Sequence, residues 1–236
     1  MIKQSILIAA CSILFFTSMR AQEGDNQLDA NGERHGFWKK NFDGVSQPRY
    51  EGTFEHGKEV GLFKFYKLDK NQSVLSATRE FSTDSDDISV KFFSSKGKLI
   101  SEGAMKDTLF VGKWVYYHNK TKAVMTVEHY NDKGRLEGER MVYYPNGQMA
   151  EHTIYKDGKI EGISKIFSEK GVLIKEFTYK NDMLNGMSKY YNGDGQMLAE
   201  GAYRNDKKHG IWKFYENGAL TEEKDFTEYS KNPIKQ

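Results

Sequence analysis

Residues 138–226 read GERMVYYPNGQMAEHTIYKDGKIE (138–161), GISKIFSEKGVLIKEFTYKNDMLN (162–185), GMSKYYNGDGQMLAEGAYRNDKKH (186–209) and GIWKFYENGALTEEKDF (210–226). The opening glycines Gly138, Gly162, Gly186 and Gly210 recur every 24 residues with matching residue types between them. A fixed period of this length is the mark of a repeat architecture. After each glycine the chain alternates, with Trp212 second and Tyr190 or Phe214 fourth, and period two in an aromatic-rich run of five or six residues specifies a β-strand. The strand runs into Pro145-Asn146-Gly147, Glu216-Asn217-Gly218, or a glycine at Gly171 or Gly195, residues that adopt turns cheaply. A second strand follows, with Met149, Leu173, Met197 or Leu220 near its start and Tyr155, Tyr179, Tyr203 or Phe226 near its end. Each unit is therefore a hairpin. The expected fold is all-β: an open-ended antiparallel β-meander, a single-layer twisted sheet of tandem hairpin repeats.

The same frame extends toward the N-terminus through GKWVYYHN at Gly112, GLFKFYKL at Gly61 and GFWKKNF at Gly36, with a degenerate unit around Ile88 that lacks its opening glycine. That makes about eight units, and sixteen or so strands spaced about 4.8 Å apart give a ribbon on the order of 75 Å long. The stretch Lys67 to Asp87, rich in Ser and Asp, reads as an enlarged turn region within the array. The organisation is then residues 1–21 as signal peptide, 22–35 as an N-terminal leader, 36–227 as the repeat array and 228–236 as a C-terminal tail.

The signal-peptide reading rests on Lys3 followed by the apolar run Ile6 to Phe16, which is short for a membrane span, with a cut expected after Ala21. The protein is accordingly expected to be exported to a periplasmic, secreted or cell-surface location. Lys3 and Arg20 are the leader's only charges, so their removal leaves 33 basic against 33 acidic residues. A neutral chain has no general attraction for nucleic acid or anionic lipid. Cys11 is the only cysteine and also leaves with the leader, which suits an oxidising compartment.

No catalytic chemistry is legible. His35 and His209 each precede an opening glycine and are turn residues of the repeat, while His56, His118, His129 and His152 fall in different units. There is no H-x-x-x-H pair, cysteine ligand set, G-x-S-x-G elbow or phosphate-binding loop. Asp84-Ser85-Asp86-Asp87 lacks the glycine and distal Glu of an EF-hand and reads as a solvated loop. The chain is expected to be no enzyme and to hold no metal or cofactor. Equivalent positions fall on one face of the sheet, so Trp38, Trp114, Tyr116, Tyr190, Trp212 and Phe214 line up as aromatic ladders. Such rings either shield the sheet or offer a stacking platform, and these six are the candidate binding residues. Glu51, Glu102, Glu176, Glu200 and Glu223 recur in return strands while Lys64, Lys165, Lys189 and Lys213 recur third after the glycine, a pattern of cross-strand ion pairs.

The recurring G-x-W-x-x-Y-Y-x-x-G, followed by an apolar residue, Glu, Tyr and D/N-G-K-x-x-G, resembles the MORN (membrane occupation and recognition nexus) repeat, most closely its bacterial variant found in proteins labelled YwqK-family antitoxins. The resemblance covers about Gly32 to Phe226. It implies a sheet that binds partner proteins, with lipid binding in some relatives and an antitoxin or immunity role in some bacterial ones. A cytosolic antitoxin has no use for a signal peptide, so an exported copy points to periplasmic immunity, with a cognate toxin as partner, or to scaffolding. A second reading is a cell-wall or glycan binder, because aromatic hairpin repeats also resemble choline- and glucan-binding repeats. Edge-to-edge homodimers and membrane lipid are the further partners the pattern admits.

Overall fold

The computed structural model describes residues 24–82 and 85–227. The expected signal peptide, the tail at 228–236 and Asp84 of the acidic loop lie outside the described residues. Within them are seventeen strands and no helix: β1 Gln27–Leu28, β2 Arg34–Asn41, β3 Pro48–Glu55, β4 Lys58–Asp69, β5 Gln72–Phe81, β6 Ile88–Phe93, β7 Leu99–Lys106, β8 Leu109–Tyr117, β9 Val124–Tyr130, β10 Gly138–Tyr143, β11 Met149–Lys156, β12 Lys159–Phe167, β13 Leu173–Lys180, β14 Met183–Tyr191, β15 Met197–Arg204, β16 Lys207–Glu216 and β17 Ala219–Asp225. Each pairs antiparallel with its neighbours in the chain, so the array is one continuous meander, as its repeat predicts.

Two kinds of turn alternate. Between units the turns are two residues long with both at positive φ: His56-Gly57, Asp157-Gly158, Asn181-Asp182 and Asn205-Asp206. This is the type I′ geometry whose twist matches that of the strands it joins. Within units a wider turn closes on a glycine at positive φ, as where Gly147 N donates to Tyr144 O and Tyr144 N to Gln148 O. The stretch Lys67–Asp87 is not an enlarged turn. Strands β4 and β5 run through most of it and meet at Lys70-Asn71, both at positive φ, in a type I′ turn that lacks glycine. Their alternation in VLSATREF carries the pairing despite the Ser and Thr content that suggested a loop.

In β8, β12 and β14 the opening glycine lies inside the strand, at a bulge, whereas Gly138 begins β10. Across β7 and β8, Glu102 faces Val115 and Ala104 faces Val111, so four residues of β8 span the length of two in β7. The same four-against-two step recurs between β11 and β12 and between β13 and β14. Gly112, Gly162 and Gly186 sit in these bulges at φ of 63°, 91° and 131°, where a side chain is strained. The bulge brings the residue four places before each ring back over it. Phe110 stacks on Trp114 with centroids 3.8 Å apart, Lys208 Nζ lies 4.1 Å above Trp212, and Arg34 Cζ lies 5.0 Å from Trp38.

Candidate functional site

The two faces of the sheet have different jobs. One, the ring face, carries a row that crosses every strand from β2 to β17: Trp38, Gly52, Phe63, Arg79, Val90, Gly103, Trp114, Glu128, Arg140, Thr153, Ser164, Phe177, Ser188, Gly201, Trp212 and Lys224. Large and small residues complement each other along it. A Cβ on Gly52, Gly103 or Gly201 would lie 2.3–2.4 Å from the ring of Phe63, Trp114 or Trp212. Where the ring is replaced by Ser164 or Ser188, the facing position enlarges to Thr153 or Phe177. A single-layer sheet thus makes its own core: Trp114 and Trp212 lie over the bare backbone of the preceding strand and are roofed from the bulge.

This packing changes the reading of the six aromatic candidates. Trp114 and Trp212 have no exposed surface, and their indole N–H groups donate to Ala104 O and Ala202 O at 2.8 and 3.0 Å. They cannot stack on a ligand, and they serve as core. Tyr190 and Phe214 pack around Trp212, and Tyr116 packs against Trp114. These three and Trp38 are half-buried. Trp38 is spent on the array's start, where its N–H donates to Gln27 O at 3.0 Å.

In the middle of the row, rings give way to ions. Arg140 donates to Glu128 Oε1 at 3.0 Å and to Glu151 Oε1 at 2.9 Å, Tyr130 donates to Glu128 Oε2 at 2.7 Å, and Thr153 links Glu151 to Ser164. Burial is the first cause that pushes the Tyr130 hydroxyl upward, followed by its bond to Glu128. The carboxylates and the guanidinium satisfy one another, so this cluster is structural.

The opposite, ladder face carries the expected ion pairs. Lys64–Glu51, Lys91–Glu102, Lys165–Glu176, Lys189–Glu176 and Lys213–Glu223 lie between 3.1 and 3.9 Å. Tyrosines brace three glutamates: Tyr66 on Glu51, Tyr117 on Glu102 and Tyr215 on Glu200. The bond to Glu102, with burial, pushes Tyr117 up to about 12. Burial and then Glu51 do the same to Tyr66. Exposed pairs of this kind are worth about 0.2–1 kcal/mol each and chiefly fix register.

Beside the ladder lies a second row. Ile163 of β12 faces Thr178 and Met187 of β14 faces Ala202, and Ile154 of β11 and Ile211 of β16 adjoin this row across the glycine bulges, where the pairing steps. Ile154, Ile163, Met187 and Ile211 are 37, 44, 48 and 59 % exposed. With strands about 4.8 Å apart, β11 to β16 make an aliphatic stripe roughly 24 Å long on the outside of the protein. In the central units the position after the opening glycine, or its equivalent, is Ser89, Lys113 and Glu139, which separate this stripe from the exposed Phe37 and Leu62 at the same position in the N-terminal units. A separate cavity of about 650 Å³ opens between two hairpin turns, floored by Phe93, Leu99 and Tyr117 and rimmed by Lys98, Lys120 and Lys122. Among the described residues no group of three or more His, Cys, Asp or Glu side chains could hold a metal ion.

Residues 136–157 and 160–181 match the model of the MORN repeat variant. These two segments are similar to MORN-variant repeats. The two matched MORN units carry the start of the aliphatic stripe, Ile154 and Ile163. No curated protein matches the chain. Among solved structures, it is similar to a crystal structure of a protein with unknown function from Bacteroides fragilis NCTC 9343, at 11 % identity over 66 % of this chain and 92 % of that one, with a TM-score of 0.18. The stripe is not marked by the aromatic periodicity, which singles out the ring positions on the other face. Its signal is in the sequence all the same: Ile163, Met187 and Ile211 directly follow opening glycines, where strict alternation calls for a polar residue.

Proposed function

We propose that the chain is an exported, non-enzymatic repeat protein whose ladder face binds another protein through the aliphatic stripe. The observation that carries this reading is the set of Ile154, Ile163, Met187 and Ile211, spread over β11 to β16 on one face and left in water beside an ordered ladder of charges. An apolar strip with a polar rim is the common anatomy of a protein-binding patch. The ring face is occupied by its own packing, which argues against glycan stacking on the indoles. For a family whose bacterial variants include antitoxins, an immunity-type role toward a cognate toxin is the specific form of the proposal.

The test is to cross-link the full chain in its native envelope, identify the partner it captures, and repeat with Ile163→Ser, Met187→Ser and Ile211→Ser combined. The variant should keep its β-sheet circular dichroism and lose the partner by at least tenfold. Capture that is unchanged by the triple variant would place binding elsewhere. Mass spectrometry of the mature protein, with its N-terminus expected at Gln22, checks the export.

A further inference from the structure

The two ends of the sheet are finished differently. At the start, β1 covers the outer edge of β2: Gln27 and Leu28 pair with His35 and Arg34, Asn26 N donates to Phe37 O at 2.9 Å, and the Asn26 side chain accepts from Lys39 N at 2.8 Å. At the other end β17 pairs with β16 alone among the described residues, and all seven of its residues are exposed. Phe226 N donates to Gly210 O. By the alternation of antiparallel pairing, residues 226, 224 and 222 exchange bonds with β16 and Glu223 turns its N–H and C=O groups outward, while Thr221 sits in a bulge opposite Phe214. An edge left open in this way is a template for another strand.

The ladder face specifies what that strand should carry. Inside the array a return-strand glutamate lies between two lysines, as Glu176 lies between Lys165 and Lys189 and Glu51 between Lys39 and Lys64. Glu223 has Lys213 on one side, at 3.9 Å, and no strand on the other. Self-pairing about a two-fold axis is poorly served, since the registers centred on the charged stretch set Glu222 on Glu222, Glu223 on Glu223, or Lys224 on Lys224. The Glu223-centred register gains two Glu222–Lys224 pairs but opposes the two ladder glutamates. The covered β2 edge also rules out head-to-tail stacking through the two sheet ends.

We propose that β17 is a docking edge for one extended strand of another protein, which adds to the sheet with a lysine or arginine opposite Glu223 on the ladder face. Backbone bonds supply the attachment and the charge pair supplies the register. This site is distinct from the aliphatic stripe.

A synthetic copy of residues 207–216, KKHGIWKFYE, is the probe, because it already holds a lysine, Lys213, in the ladder position. Titrated into the full isotope-labelled chain, it should shift the Glu223 amide and slow its hydrogen exchange. A peptide with Lys213→Glu should bind about fivefold more weakly, and Glu223→Lys in the protein should reverse that preference. Glu223 is exposed, and an unchanged melting temperature would show that the variant is folded. Equal binding of both peptides, no response at β17, or β17 amides protected before peptide is added, as they would be if residues 228–236 covered the edge, would overturn the proposal. So would a dimer in sedimentation equilibrium that Glu223→Lys dissociates.

Discussion

Gly201 and Trp212 stand eleven residues apart in sequence and act as one unit. The indole lies where a Cβ on Gly201 would sit, 2.3 Å from the nearest ring atom. Gly201→Ala therefore forces the ring to move within a closed core and should destabilise the protein by about 2 kcal/mol in urea unfolding, in the range for overpacking. Gly201→Thr combined with Trp212→Ser, which copies the natural Thr153–Ser164 pair, should lose less than the sum of its two single changes. Gly112 gives the contrast: a Cβ there meets nothing within 4 Å, but φ is +63°, so Gly112→Ala should cost about 1 kcal/mol from backbone strain alone. Ser188 runs the other way. Its hydroxyl is fully buried without a hydrogen-bond partner, and Ser188→Ala should raise stability by about 1 kcal/mol. The ring positions were legible because period two puts Trp114 and Trp212 on one face. Their glycine partners were not, because the facing strand is displaced by a bulge that alternation does not reveal.

At the level of elements, turns were the most legible and strand starts the least. Asp157-Gly158 and Asn217-Gly218 adopt the positive φ that their chemistry favours. The segment 22–35 gave no periodic signal, since β1 is two residues long and is held by side chains instead. Its clip is Asp29, which caps Asn31 N and Glu33 N and pairs with His56 Nδ1 at 2.7 Å. The hydrogen bond to Asp29 raises His56 above its usual 6.5, and the bond to His56 is the first cause holding Asp29 below 3.8. A raised histidine contributes below its unfolded pKa and is lost as pH rises through the folded one. A lowered carboxylate contributes above its unfolded pKa and is lost as pH falls through the folded one. Both contributions are therefore present between about pH 4 and 6.5. Hydrogen exchange at β1, corrected for intrinsic rates, should be slowest at pH 5.5 and faster at pH 8.5, and His56→Ala should flatten that difference. A pH-independent protection pattern would remove the clip from the account.

On the scale of the whole molecule, a repeat sheet is stable as a sum of units and of the interfaces between them, so its weakest interface decides how it comes apart. Between repeat units the shortest ladder is that of β9 and β10, which pair at Met141–Val127 and Val142–Thr126 with a further bridge at Tyr130–Leu136, whereas β12 and β13 pair at six positions. The ion cluster lies at this seam. Arg140 of β10 reaches back to Glu128 of β9 and forward to Glu151 of β11, joining the ring-packed core around Trp114 to the one around Trp212. The side chain of Glu128 is only 13 % exposed, and deleting its cation leaves a largely buried carboxylate with only the hydroxyls of Tyr130 and Tyr116 for company. Removing one partner from such a pair is costly. After allowance for the water that reaches Arg140, Arg140→Met should lower stability by about 2 kcal/mol. The loss should be local as well as large. The variant should unfold in two steps, with amides of β10 and β11 exchanging together and ahead of those in β7 and β8, while the parent melts in one. Glu128→Gln with Arg140→Met removes both charges and should recover part of the loss. A single, uniformly lowered transition in Arg140→Met would mean that backbone pairing alone, not the arginine, couples the two halves.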